Sequence, residues 1–79
     1  MSPTVFRERG YRFLFFSREE PRVHIHVQSA KGEAKFWVEP SITLARNKGL
    51  SAADLQVVEV LIKEHEDEIR IAWHSHFGS

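Results

Sequence analysis

Residues 22–39 constrain the fold of this chain more than any other stretch. Arg22 to Gln28 and Glu33 to Glu39 alternate with period two and flank the loop Ser29-Ala30-Lys31-Gly32, the pattern of a β-hairpin. Setting Gln28 opposite Glu33 pairs Val23 with Val38, Ile25 with Phe36 and Val27 with Ala34 on one face. The other face pairs Arg22 with Glu39, His24 with Trp37, His26 with Lys35 and Gln28 with Glu33. A slip of one residue would move every side chain to the opposite face and mix the two sets, so the segregation itself specifies the register. The apolar face must be covered by the rest of the chain.

Strands also precede the hairpin. Thr4 to Arg7 reads as a first strand and Tyr11 to Phe16 as a second, joined by a tight turn at Glu8-Arg9-Gly10 where Gly10 can take positive φ. Phe13, Leu14, Phe15 and Phe16 make the second strand apolar on both faces, which places it centrally in the sheet. Ser17 to Pro21 is a polar loop, and Pro21 holds Glu20 extended. After Pro40, Ser41 to Arg46 alternates again and gives a fifth strand, with Asn47-Lys48-Gly49 as its turn signal.

From Ser51 the period becomes helical. Ser51 is a good N-cap, Asp54 completes a capping box, and Leu50 can pack on Leu55 as a hydrophobic staple. Leu55, Val58, Leu61 and Ile62 form one apolar stripe, and Ile69, Ala72, Trp73 and Phe77 form another. Lys63 to Glu68 contains no apolar residue. An unbroken helix to Phe77 would be ~40 Å long, against ~20 Å for strands of this length. A break near residues 64–67 is therefore expected, giving helices over 51–64 and 66–77, or one kinked helix. The expected fold is α+β: a mostly antiparallel sheet with strands at 4–7, 11–16, 22–28, 33–39 and 41–46, followed by C-terminal helices, in a single domain spanning 1–79.

Composition narrows the setting. The chain has no cysteine, which excludes disulfides and thiolate metal sites and fits a reducing compartment. Its longest apolar run is four residues, Phe13 to Phe16, far short of a bilayer span, and no signal peptide is expected at Met1-Ser2-Pro3-Thr4. A cytoplasmic protein without membrane contact is the expectation. Net charge is zero but unevenly spread. Residues 1–35 carry seven Lys/Arg against four Glu, and residues 51–79 carry Lys63 and Arg70 against six acidic residues. No dense Lys/Arg cluster occurs in the sequence, so nucleic acid is possible as a partner but not indicated by net charge.

The chemistry-bearing feature is the pair His24 and His26. Residues i and i+2 of a strand share a face with Cα atoms ~6.5–7 Å apart. The pair can therefore converge on one ligand, with Lys35 beside it and Arg22, Glu33, Trp37 and Glu39 as binding residues. One histidine can act as general base while Lys35 stabilises charge on a phosphate, and Trp37 can stack on a base. If a metal is bound at all, His24 and His26 are its ligands; no cofactor is expected. The bland alternative is a polar sheet face with cross-strand His–Trp and His–Lys pairs. A second His-x-His, His74 and His76, lies in the helical stretch, where the two side chains diverge by about 200°. Aromatic residues on both faces of the sheet exceed what two short helices can cover, so a second covering surface is expected, from a homodimer or another protein.

The opening Pro3-Thr4-Val5-Phe6-Arg7 and Gly10-Tyr11-Arg12-Phe13, then Pro21-Arg22-Val23-His24-Ile25-His26-Val27, Gly32-Glu33-Ala34-Lys35-Phe36-Trp37, Asn47-Lys48-Gly49 and Ala72-Trp73-His74 occur in an order that resembles a bacterial family, the domain of unknown function DUF4160. The family usually carries two prolines before its His-x-His strand, and Glu20 takes the first of these places. The resemblance implies a small protein encoded beside another short protein, the two together similar to a toxin–antitoxin pair. It supplies no catalytic residue. The expected function is thus a protein-binding module, with a histidine-dependent ribonuclease or nucleic-acid-binding toxin using His24 and His26 as the first alternative. A divalent-metal-binding sheet surface is the second.

Overall fold

The computed structural model describes residues 4–16 and 21–78. The expected loop over 17–20 and the first residues of the chain lie outside the described residues. Five strands and two helices follow in the expected order: β1 (Thr4–Glu8), β2 (Tyr11–Leu14), β3 (His24–Gln28), β4 (Glu33–Trp37), β5 (Thr43–Lys48), α1 (Ala52–Glu64) and α2 (Glu66–Phe77). The strands form one antiparallel sheet in the order β1-β2-β3-β4-β5. The β3–β4 register is the one that face segregation demands, from His24 opposite Trp37 to Gln28 opposite Glu33. Pairing runs on beyond the strand ends, where the Val38 amide donates to the Val23 carbonyl at 2.9 Å.

The apolar face of the hairpin carries the core. Ile25, Val27, Phe36 and Val38 join Tyr11, Phe13 and Phe15 of the neighbouring chain segment, and Val58, Leu61, Ile62, Ile69 and Trp73 of the helices cover them. A two-residue turn joins β1 and β2, with positive φ at both Arg9 (54°) and Gly10 (82°), the combination that matches the twist of the flanking strands. β5 differs from the expected strand by starting at Thr43 and running through Asn47 and Lys48. Asn47 does not turn the chain; its side chain brackets Leu50, accepting from the Leu50 amide at 3.1 Å and donating to the Leu50 carbonyl at 2.9 Å. The turn itself falls on Gly49, at φ 96°.

At that turn two loops meet almost backbone to backbone. A Cβ on Gly32 would lie 2.2 Å from the Lys48 carbonyl oxygen, and one on Gly49 would lie 2.7 Å from the Lys31 carbonyl oxygen. The contact pins the hairpin loop to the entry of α1. Next to it the capping box is complete: the Asp54 amide donates to Ser51 Oγ at 3.1 Å and the Ser51 amide donates to Asp54 Oδ2 at 3.2 Å. Asp54 Oδ1 also accepts from the Tyr11 hydroxyl at 2.9 Å and from Lys31 Nζ at 3.3 Å. Three elements thus converge on one buried carboxylate. The Tyr11 hydrogen bond, with those of Ser51, holds Asp54 down at about pKa 2.

The helical break falls at His65, as the gap in apolar residues requires. Three acidic residues, Glu66, Asp67 and Glu68, follow it and favour a helix N-terminus. The His65 ring stacks on Phe6 with centroids 3.9 Å apart, its Nδ1 lies 2.7 Å from Glu68 Oε1, and its Nε2 lies 2.9 Å from Glu8 Oε1. Only the imidazolium can donate to both carboxylates at once. The Glu68 hydrogen bond first, and that of Glu8 second, raise the His65 pKa. The joint between the helices is thereby tied to β1 by a protonated ring.

Leu14, on the face opposite the helices, is buried, and the exposed large apolar side chains among the described residues are Leu44, Val60 and Ile71, on three different elements. No helix among the described residues is long and apolar enough to cross a membrane.

Gly32→Ala pushes a methyl group into backbone that cannot retreat and lowers stability by about 3 kcal/mol or prevents folding. Gly10→Ala, where a Cβ meets nothing within 4 Å, costs only the strain of its positive φ, about 1 kcal/mol; urea unfolding separates the two. Stability also depends on pH at both ends. The Asp54 contribution is lost as pH falls from 3.8 towards about 2. The His65 contribution is complete below 6.5 and is lost as pH rises through the raised folded value. Denaturation midpoints measured against pH should show Asp54→Asn flattening the acid limb and His65→Gln flattening the alkaline one.

Candidate functional site

The register defines what lies on the sheet face turned away from the core, the outer face. Arg7, Arg12, Gln28, Glu33 and Lys48 are cross-strand neighbours in one row, and Leu14, His26, Lys35 and Arg46 in the next. Trp37 follows, opposite Thr43, with the Arg22 guanidinium 4.2 Å and the Lys35 ammonium 4.4 Å from its ring centroid. Among the described residues this face therefore gathers six cationic side chains, Arg7, Arg12, Arg22, Lys35, Arg46 and Lys48, against the single carboxylate of Glu33. Glu39 turns its carboxylate to Arg70 of α2. The six acidic residues of 51–79, Asp54, Glu59, Glu64, Glu66, Asp67 and Glu68, all belong to the helices. A neutral chain thus has its charge separated by layer.

The two histidines of β3 have different surroundings. His24 is 0% exposed and meets His26, Trp37 and Trp73 edge-on, with ring centroids 5.1–5.6 Å away. Its Nδ1 lies 2.7 Å from the Arg22 carbonyl oxygen, a bond that requires the proton on Nδ1. His24 is built into the scaffold. Trp73 reaches it from α2, a contact that strand periodicity alone could not show. His26 is 8% exposed, with Phe16 packed on its ring at 4.1 Å. It borders a groove of about 380 Å³ lined by Phe16, His26, Gln28, Glu33, Lys35, Arg46 and Lys48 among others.

Of the sequence-derived candidates, His26, Lys35 and Glu33 meet at this groove, Trp37 and Arg22 stand beside it, and His24 and Glu39 do not reach it. Among the described residues no group of three or more His, Cys, Asp or Glu side chains is placed to hold a metal ion. Arg46, Lys48, Arg7 and Arg12 were not among the candidates. Arg7, Arg12 and the Arg46/Lys48 pair lie far apart in the chain, and cross-strand pairing brings them to one face. His74 and His76 are both exposed on α2.

A five-stranded antiparallel meander with two helices on one face and a cationic outer face defines a small α+β protein with a polar sheet surface. The chain belongs to the family described as Domain of unknown function (DUF4160), whose model matches residues 10–74, from the β1–β2 turn into α2. No curated protein and no solved structure matches the chain.

The burial pattern separates scaffold from surface. His24→Ala, which empties a sealed site, should cost about 2–4 kcal/mol. Arg46→Ala and Lys48→Ala, on a strand whose residues are all exposed, should each stay within about 0.5 kcal/mol of the parent. Urea denaturation followed by circular dichroism measures both.

Proposed function

We propose that this chain is a binding module whose outer sheet face takes an anionic macromolecule, and that it works as one half of a two-protein pair of the toxin–antitoxin kind. The observation that carries the reading is the six-to-one excess of cations on that face among the described residues, in a chain of zero net charge. Helical acidity balances the total without neutralising the surface. Charge segregated in this way attracts polyanions at short range even though the chain as a whole carries no net charge. Within the pair, an acidic surface of the partner protein covers the same face. The family resemblance supports the pairing, and a cysteine-free chain suits a cytoplasmic setting.

Binding fits the site better than two-histidine catalysis. A histidine-dependent ribonuclease needs two imidazoles at one phosphodiester. Only His26 borders the groove, while the His24 ring is sealed behind it with Nδ1 held by the Arg22 carbonyl.

Heparin chromatography tests the reading with a defined polyanion. The parent chain should be retained at low salt and released as salt rises. The double variant Arg46→Glu, Lys48→Glu should flow through while keeping its circular dichroism spectrum. Equal elution of parent and variant would sink the proposal. Co-expression with the neighbouring gene product should yield a complex on size exclusion that no longer binds heparin; a complex with undiminished retention would place the partner on another face.

A further inference from the structure

We infer that the groove over β3–β5 takes one nucleotide of a single-stranded nucleic acid, with a phosphate among Lys35, Arg46 and Lys48 and the base against Phe16 and His26. The inference rests on the polyanion-binding reading of the outer face and names its ligand. Lys35 and Arg46 are direct cross-strand neighbours, and Lys48 is two residues further along the same face of β5. Strand spacing of ~4.8 Å and an i, i+2 separation of ~7 Å put three cationic stems around one patch. That density matches a compact multivalent anion, a phosphate group, rather than a row of spaced carboxylates. Lys35 is already held over the Trp37 ring, which reduces the ordering cost of using it.

The wall of the groove selects the rest of the ligand. Phe16 and His26 form a packed aromatic pair, with centroids 4.1 Å apart, that borders the cationic patch. In a duplex the base faces are stacked inside the helix, so an aromatic wall beside a phosphate site rewards only an unstacked base. A volume of about 380 Å³ is at the small end of ligand sites, room for one nucleotide unit. Glu33 lines the same groove directly opposite Lys48, so its carboxylate offsets part of the charge of the three cations and leaves enough for one phosphate rather than two.

Fluorescence anisotropy with the full chain tests this, using a labelled oligouridylate, the same strand annealed into a duplex, and uridine monophosphate as competitor. The single strand should bind at low salt, with a slope of log K against log salt of about −2 for three contacts, and the duplex at least about tenfold more weakly. Phe16→Leu keeps an apolar side chain but removes the ring, and should weaken oligouridylate binding about tenfold while leaving heparin retention unchanged. Oligouridylate binding that is indifferent to Phe16→Leu, or no stronger than duplex binding, would overturn the groove assignment. Uridine monophosphate competing as well as the oligonucleotide would overturn the strand and leave a mononucleotide ligand. In each of these cases heparin retention still supports the polyanion reading; loss of heparin and oligonucleotide binding together would overturn both.

Discussion

Everything in this molecule depends on one cross-strand register. With Gln28 opposite Glu33, the β3–β4 hairpin becomes a surface of two unlike faces, one made of Val23, Ile25, Val27, Ala34, Phe36 and Val38 and the other of charged, polar and aromatic side chains. The first face can only be satisfied by burial, and α1 and α2 supply the apolar stripes that bury it. Phe13 and Phe36 alone account for about 3–6 kcal/mol of transfer free energy on that side. The second face, His24 apart, is kept out of the core by the same alternation. Segregation for folding therefore also produces the surface for binding.

Attaching the helices to the sheet requires polar fastenings at both ends. At the start of α1, the Gly32–Gly49 backbone contact and the Asp54 carboxylate, shared by Tyr11, Lys31 and Ser51, fix where the helix leaves the sheet. Where α1 gives way to α2, His65 bridges Glu8 and Glu68 and lies on Phe6. In so small a domain the apolar core leaves little net stability, and each fastening is a large fraction of what remains. The two titrate in opposite directions from neutrality, so the fold is most secure between them.

Much of this was legible in the residues themselves. Period-two alternation located all five strands, face segregation specified the hairpin register, and the apolar gap at 63–68 located the helical break. Strand alternation also put His26, Lys35 and Trp37 on one face. Two things were out of reach, for one physical reason: they are made by contacts between residues far apart in the chain. Alternation puts His24 on the polar face of the hairpin but does not show that Trp73 of α2, with Trp37, seals it. The cationic face was invisible because Arg7, Arg12, Arg22, Lys35, Arg46 and Lys48 are scattered in sequence and meet only when β1 to β5 are paired. Net charge concealed it further, since the acidic helices cancel the sum.

The outer face as the binding surface is tested most directly by amide and indole chemical shifts in a titration of isotope-labelled protein with oligouridylate. Shifts should concentrate at Lys35, Arg46, Lys48 and the Trp37 indole, and the amides of Val58, Leu61 and Ile69 in the helices should stay still. Shifts centred on α1 or α2, or a spectrum unchanged at low salt, would contradict the assignment of function to this face.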